Sequence, residues 1–496
     1  MSSYKTILKT TGIFASLRVF TILMNVIMAK LIAVFVGASG IGIFGLYTSV
    51  LSLITTVADL GISKSSVRNI ALAEGMENSM EIEKTISIAG KLIYVTGTIG
   101  AFFTIVFAYQ ISIWTFGDSA FWLSIVLLGV AVFFTILHNG QLAILQGLRK
   151  YKLIAKSTMY SALIASIVSV PLIFFFRQDS IIYIILAGAI VAFGVTQGYL
   201  KNLPFSMKRN GIRLTTSNSI DMIRLGMSMM LVSFLVSLSG YIVRAYIGNN
   251  GTITDLGYFQ AGFQIISGYF GVIFTSMTTD YFPRISAIQD DNEKLQAEVN
   301  QQATLTLLLI CPLVVLLPYI MPYVISILYS QEFSSTVEYV NYALFGIIFQ
   351  AGSLTMGMIL LAKNHARVFT VSVFLFQSLF LVLNLIGYTY YGILGLGLSF
   401  SINMLLHLIG VQVMNYVLYK ITYNKSFFVT LFIVFAFALT AKISIALDGI
   451  FYFLVGGMLV CGSLLFVILK LKKLLNIGSL SNYIKSYLNV GVGKVS

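Results

Sequence analysis

Charge is what this chain has least of. Asp, Glu, Lys and Arg make up only 10% of its 496 residues, against roughly 25% in soluble domains. A water-facing surface over most of its length is excluded. Cysteine is nearly absent, and Cys311 and Cys461 both lie in apolar runs, which excludes a disulfide framework and a cysteine metal knuckle. No Walker loop is found, so the chain itself does not hydrolyse ATP. No nucleophile–base constellation and no His/Cys metal cluster is found either. The chain is read as a non-enzyme without cofactor or metal.

What is present is apolar sequence, 58% of the residues, in runs too long for barrel strands. A helix needs roughly 20 apolar residues to cross a bilayer, and only helices or closed barrels satisfy their backbone there. The expected fold is an all-α integral membrane protein of about 14 transmembrane helices. The spans are 10–36, 41–62, 86–112, 119–145, 153–176, 181–200, 220–247, 256–277, 302–330, 335–362, 367–390, 392–419, 427–446 and 449–470. The first carries Arg18 and Lys30 and lacks a small-residue cleavage site, so it is read as a span and not as a cleavable signal.

A net charge of +14 would suggest nucleic acid in a soluble protein. Here it reads as topology, with no nucleic-acid partner. Loops after even-numbered spans are basic: Lys64, Arg68 and Lys84; Arg149, Lys150 and Lys152; Lys208, Arg209 and Arg213; Lys363 and Arg367; Lys420 and Lys425. Loops after odd-numbered spans carry Asp118, Asp179, Asp255 and Glu332, and Arg177 is their one basic residue. The positive-inside rule then places both termini in the cytoplasm. Asp290, Asp291 and Glu293 lack the spacing of a calcium loop and read as a solvated helix start.

A weak repeat runs through the chain. Val36-Gly37 and Phe44-Gly45-Leu46-Tyr47 are echoed by Ile247-Gly248 and Leu256-Gly257-Tyr258-Phe259, an offset of about 211 residues. Leu145–Lys150 is echoed by Leu361–Arg367 at about 216. Two landmarks at nearly one offset imply parallel six-helix lobes. The expected domains are an N-lobe over 1–200, a cytoplasmic linker over 201–219 and a C-lobe over 220–420. An extra helix pair over 421–470 and a basic tail over 471–496 follow.

Charge inside a bilayer is expensive, roughly 2.5 to 3.5 kcal/mol on insertion scales, and marks bundle interiors or wet cavities. Arg18 and Lys30 in span 1 and Arg244 in span 7 are therefore candidate substrate-binding cations. Ser233, Ser237, Gly240 and Arg244 are spaced 4-3-4, which places them on one helical face. Asn25 shares a face with Arg18. Lys30 is about 18 Å further along the helix. Cations at two depths suit an anionic substrate head, whereas snorkelling or structural pairing is the plain alternative. Arg224 reads as an anchor. Candidates for proton or ion coupling are His138, His407, Asp59 and Asp280. A lone His on a membrane helix is more often a hydrogen-bonded packing residue than a proton relay, and helix-end pairing with Arg68 or Arg284 is the plain account of the carboxylates.

The stretches Leu31–Tyr47, Leu145–Lys152, Gly257–Ser286 and Leu360–Arg367 resemble landmarks of polysaccharide flippases of the O-antigen translocase (Wzx) type. These belong to the multidrug/oligosaccharidyl-lipid/polysaccharide exporter (MOP) superfamily. The clearest matches are Gly257-Tyr258-Phe259-Gln260 and Tyr281-Phe282-Pro283-Arg284-Ile285-Ser286, and the resemblance covers about residues 5 to 420. It implies two lobes around a cationic cavity in a bacterial inner membrane. A polyprenyl-pyrophosphate-linked oligosaccharide such as an O-antigen unit would be turned to the periplasmic leaflet by alternating access. Arg18, Lys30 and Arg244 fit such a cavity by type and place. A glycan polymerase and a chain-length regulator are the implied partners. A cation-coupled multidrug exporter is the alternative, but it would want acidic residues in the lobe interiors. A membrane polymerase or glycosyltransferase would need larger outer loops.

Overall fold

The computed structural model describes residues 3–76, 78–203, 217–447 and 449–474. The linker residues Lys208, Arg209 and Arg213 and the tail residues Lys485 and Lys494 lie outside the described residues. So do the side chains of Lys5, Lys9 and Arg18.

Every described element is a helix or a turn. Ten helical segments are long and apolar enough to cross a membrane. Two of them carry two crossings each. Tyr151–Lys201 spans 51 residues and reverses at Arg177, where φ is +46°. Ala366–Tyr419 spans 54 residues and reverses at Gly392, where φ is +58°. A straight helix of that length would reach about 80 Å, far beyond a hydrocarbon core of about 30 Å. With these counted twice, and with the first helix and the broken eighth span added, the fourteen expected crossings are accounted for. The chain is a multi-pass membrane protein. Of its six prolines, Pro171, Pro283, Pro312, Pro318 and Pro322 lie inside helices. Membrane helices tolerate this because neighbours re-satisfy the freed carbonyls.

Two compact units are distinguished by packing. They group the chain by contact and do not bear on the internal repeat. The first comprises 1–264, 325–336 and 370–396. It holds α1 (Ser3–Phe35), α2 (Ala38–Ala58), α3 (Ile62–Gly75), α4 (Ser79–Val106), α5 (Ala108–Phe116), α6 (Trp122–Gly147), α7 (Tyr151–Phe176), α8 (Ser180–Lys201), α9 (Ser217–Asn250) and α10 (Ile253–Phe263). Helix α2 is the hub, packed on α9, α10, α4 and α6. Its contact with α10 is backbone to backbone: a Cβ on Gly257 would sit 2.0 Å from the carbonyl oxygen of Ala38. Small residues at a crossing let membrane helices approach this closely.

Helix α3 is a departure from the expected basic loop. It is too short to span, but Ile62, Ser65, Ser66, Ile70 and Ala73 are buried along one face, the 3.6-residue period of a surface helix. Ile70 and Ala73 join a core with Ile82, Ile86, Ile144, Leu145, Ile154 and Leu200. Ile62 joins a second core with Ile88, Leu92, Val132, Ile136 and Met222. The α4 start is capped by the Asn78 side chain, and α10 by a Thr252–Asp255 capping box.

The second unit comprises 265–324, 337–369 and 397–496. It holds α11 (Phe270–Ala287), most of α12 (Asn292–Leu328), α13 (Thr336–Ala362), the second half of α14 (Ala366–Tyr419), α15 (Lys425–Ser444) and α16 (Gly449–Leu474). A π-helical turn at Gln264–Tyr269 separates α10 from α11, and α11 runs on to Ala287. The buried Tyr281 hydroxyl donates to the Thr355 carbonyl at 3.0 Å. The extra pair α15–α16 packs on α12 through Tyr319, whose hydroxyl meets Ser444 and whose backbone oxygen accepts from Tyr452 at 2.8 Å.

Candidate functional site: a polar seam on α9

The face of α9 that carries Ser233, Ser237, Gly240 and Arg244 is turned to polar groups of the first unit. Lys64 Nζ donates to Ser233 Oγ at 2.6 Å. Ser237 Oγ lies 3.3 Å from Ser52 Oγ and 3.4 Å from Thr56 Oγ1, both on α2. One and two turns further, Arg244 donates from Nη1 to the Gly240 carbonyl and from Nε to Gln260 Oε1, each at 2.9 Å. Its guanidinium carbon is 4.9 Å from the Phe263 ring centroid and 5.8 Å from that of Phe259. An amide oxygen, a carbonyl and two ring faces orient the cation. Cation–π contacts contribute roughly 0.5 to 2 kcal/mol each. Gly45 of α2 approaches the Gln260 amide so closely that a Cβ there would be 3.1 Å from its oxygen. The guanidinium is thereby tied, through Gln260, to α2. An Arg fixed in this way presents a planar fork suited to phosphate or carboxylate.

The other expected cations go elsewhere. Lys30 of α1 donates to the carbonyls of Ser326, at 3.0 Å, and of Tyr329. These belong to the C-terminal end of α12, where the helix leaves carbonyls without intrahelical partners and its dipole favours positive charge. Lys30 is thus a helix cap, away from the seam. Asn25 lies on an exposed side of α1.

The coupling candidates divide three ways. Asp59 follows α2 and accepts the Ser63 hydroxyl at 2.7 Å and its backbone N–H at 3.3 Å. It holds the first turn of α3 and lies with Lys64 and Ser233 at one end of the seam. His138 of α6 meets Thr196 of α8 through Nδ1 at 3.2 Å, a packing contact. In the second unit Asp280 sits inside α11 and is 77% exposed. It pairs with Arg284 one turn on at 2.9 Å, while Arg284 also meets Glu298 and Gln302. His407 lies half-buried on α14. Neither belongs to the seam. The partners Gln260, Phe263 and Lys64 escape sequence reasoning, since nothing in the spacing says which residue meets the Arg244 fork.

Residues 20–338 match a family model described as polysaccharide biosynthesis protein. The chain belongs to that family. No curated protein matches it. Among solved structures, a lipid II flippase MurJ in an inward closed conformation superposes with a TM-score of 0.72 at 14% identity, over 95% of this chain and 100% of that one. An inward-facing multidrug resistance MATE family transporter of the MOP superfamily gives 0.68 at 13%, over 83% and 99%. A MOP superfamily transporter from Pyrococcus furiosus, whose title notes a reverse polarity of its binding pocket, gives 0.54 at 11%, over 82% and 95%. These likenesses show that the chain shares the fold of these proteins.

Proposed function

We propose that this polysaccharide biosynthesis protein is a flippase for a lipid-linked oligosaccharide whose anionic pyrophosphate is met by Arg244. The observation that carries the reading is the guanidinium of Arg244, held by Gln260, the Gly240 carbonyl and two aromatic rings on a hydroxyl-lined seam. The fold supports transport, and the family supports a glycan cargo. Carrying a pyrophosphate past an apolar midplane needs a cation that stays charged at every physiological pH and offers paired donors, which Arg does. Ser233, Ser237, Ser52 and Thr56 continue the seam with hydroxyls suited to sugar. Arg18 enters this reading as a second cation on α1, and export runs from the cytoplasmic to the periplasmic leaflet of an inner membrane.

The test is a charge series at Arg244 in cells that depend on the protein for surface glycan. Wild type should exceed Arg244→Lys, which should exceed Arg244→Ala. Each lost charge-assisted hydrogen bond, about 1.5 to 3 kcal/mol, lowers export about 10- to 100-fold. Arg244→Glu should export nothing while still inserting. A carboxylate at this position that instead raised resistance to lipophilic cations, with surface glycan intact, would replace the flippase by a cation-coupled drug exporter.

A further inference from the structure

Asp59 and Lys64 stand in a cavity that the glycan reading leaves unused. It measures about 230 Å³ and lies where α2 gives way to α3, with Asn139 of α6 and Met230 and Ser233 of α9 in its wall. Asp59 and Lys64 are the two titratable groups among its lining residues. Arg68 on α3, Lys91 on α4, His138 on α6, and Asp221 and Arg224 on α9 are the nearest other titratable groups along those helices, and none lines it. Lys64 reaches across to α9, donating to Ser233 Oγ at 2.6 Å and toward the Met229 carbonyl at 3.5 Å. Beside this link Gly61, with φ of +68°, touches α9 directly, since a Cβ there would lie 2.0 Å from the Gly226 carbonyl oxygen. Lys64 and Gly61 together form a clasp between the α2–α3 elbow and α9.

The clasp depends on α3 starting where it does, at its Gly61 N-cap, and Asp59 braces that first turn through Ser63. The ionised carboxylate accepts both the hydroxyl and the backbone N–H of Ser63. We propose that this cavity is a proton-binding site, with Asp59 its acceptor, and that protonation releases the Lys64 clasp on α9. The step adds one proton to a carboxylate oxygen and breaks no covalent bond. An ionised carboxyl accepts through both oxygens, whereas a protonated one turns one oxygen into a donor. The Ser63 hydroxyl can turn to accept from that oxygen while the other oxygen keeps the Ser63 N–H, so both contacts lose their charge assistance and the first turn of α3 is held less firmly. The Asp59–Lys64 attraction disappears at the same moment, and the cavity changes from neutral to singly positive. Burial holds the Asp59 carboxyl above the usual carboxylate range, against the lowering effect of its bonds to Ser63 and of Lys64. Uptake therefore falls closer to neutral pH than for an ordinary Asp. The proposal rests on the flippase reading only for its purpose, a proton that drives the cycle.

The test reads the clasp in purified full-length protein. In a Cys311→Ser, Cys461→Ser background, Met230→Cys reports on the cavity and the exposed Lys150→Cys serves as internal reference. Both are labelled with a methanethiosulfonate reagent and quantified by mass spectrometry. The ratio of reporter to reference labelling should rise several-fold from neutral to acidic pH. Asp59→Asn, which keeps one acceptor and loses the charge, should be high and flat across pH, as should Lys64→Met. Added sodium at constant pH should change nothing. A pH-flat ratio in the otherwise native protein, or a pH response that survives Asp59→Asn, overturns the proposal. A sodium-driven rise assigns the site to a metal cation and equally overturns it. Because the readout is labelling and not export, failure of the Arg244 series would leave this result standing, and the reverse also holds.

Discussion

At the scale of single residues, the expense of charge in hydrocarbon singles out Arg244 and Lys30 alike, and the structure separates them by their partners. Arg244 turns to a side-chain amide and two rings on α10. Lys30 turns to the carbonyls that end α12. Sequence spacing reveals which residues share a helical face, as it does for Ser233, Ser237 and Arg244, but not what lies opposite that face. Two outcomes follow from the different partners. Gln260→Leu removes the Nε acceptor while keeping volume, so export should fall about tenfold, the value of one charge-assisted bond, with protein level unchanged. Lys30→Met should do the opposite. It leaves two carbonyls of a helix end without their donor, at about 1 to 3 kcal/mol, so the thermal midpoint of the purified protein should drop. Export per folded molecule should stay near wild type. Loss of export in Lys30→Met at normal stability would return Lys30 to the substrate path.

At the scale of elements, the long apolar runs are legible because length and hydropathy are intrinsic to the sequence. The reversal at Arg177 falls in the expected gap between spans 153–176 and 181–200, and that at Gly392 on the first residue of the expected span 392–419. Helix α3 is not legible in that way: Lys64 and Arg68 make the segment look like a loop, although Ile62, Ser66, Ile70 and Ala73 already carry a helical period. The π-helical turn at Gln264–Tyr269 has no counterpart in the apolar pattern either, because it depends on tertiary packing. The α2–α10 crossing is set by glycine, and its consequence is measurable. A methyl at Gly257 would meet the Ala38 backbone at 2.0 Å, which neither helix can relieve without moving apart. Gly257→Ala should therefore destabilise by about 1 to 3 kcal/mol, seen as a lower thermal midpoint in detergent. Gly194→Ala on α8 is the control: nothing lies near its added methyl, and the helix gains roughly 0.5 to 1 kcal/mol from the replacement. Equal midpoints for the two variants would show that the crossing tolerates separation.

At the scale of the whole molecule, an even number of crossings predicts both ends of the chain on one side, and the distribution of Lys and Arg predicts which side. The positive-inside rule predicts that the short loops carrying Lys and Arg are cytoplasmic, because moving those charges through the bilayer is opposed. Lys150 lies at the α6–α7 turn and Lys425 opens α15, and both are exposed. Gln178 lies in the α7–α8 turn and Asn250 ends α9, and these are exposed as well. One span separates each of the first pair from a neighbouring member of the second or an odd number does, so the two pairs must lie on opposite faces. Single cysteines at these four positions, in a background without Cys311 and Cys461, should be labelled accordingly. A membrane-impermeant reagent added to intact cells should reach Gln178→Cys and Asn250→Cys, and should reach Lys150→Cys and Lys425→Cys only after lysis. The near pair Lys150 and Gln178 tests the single crossing of α7. The far pair Asn250 and Lys425 tests the break in the eighth span and the reversal at Gly392 together. If either were not a true crossing or turn, the parity would change and Lys425→Cys would be labelled from outside. That result would move the basic loops of the second half to the outer face and leave the orientation of α9, which precedes both features, unchanged.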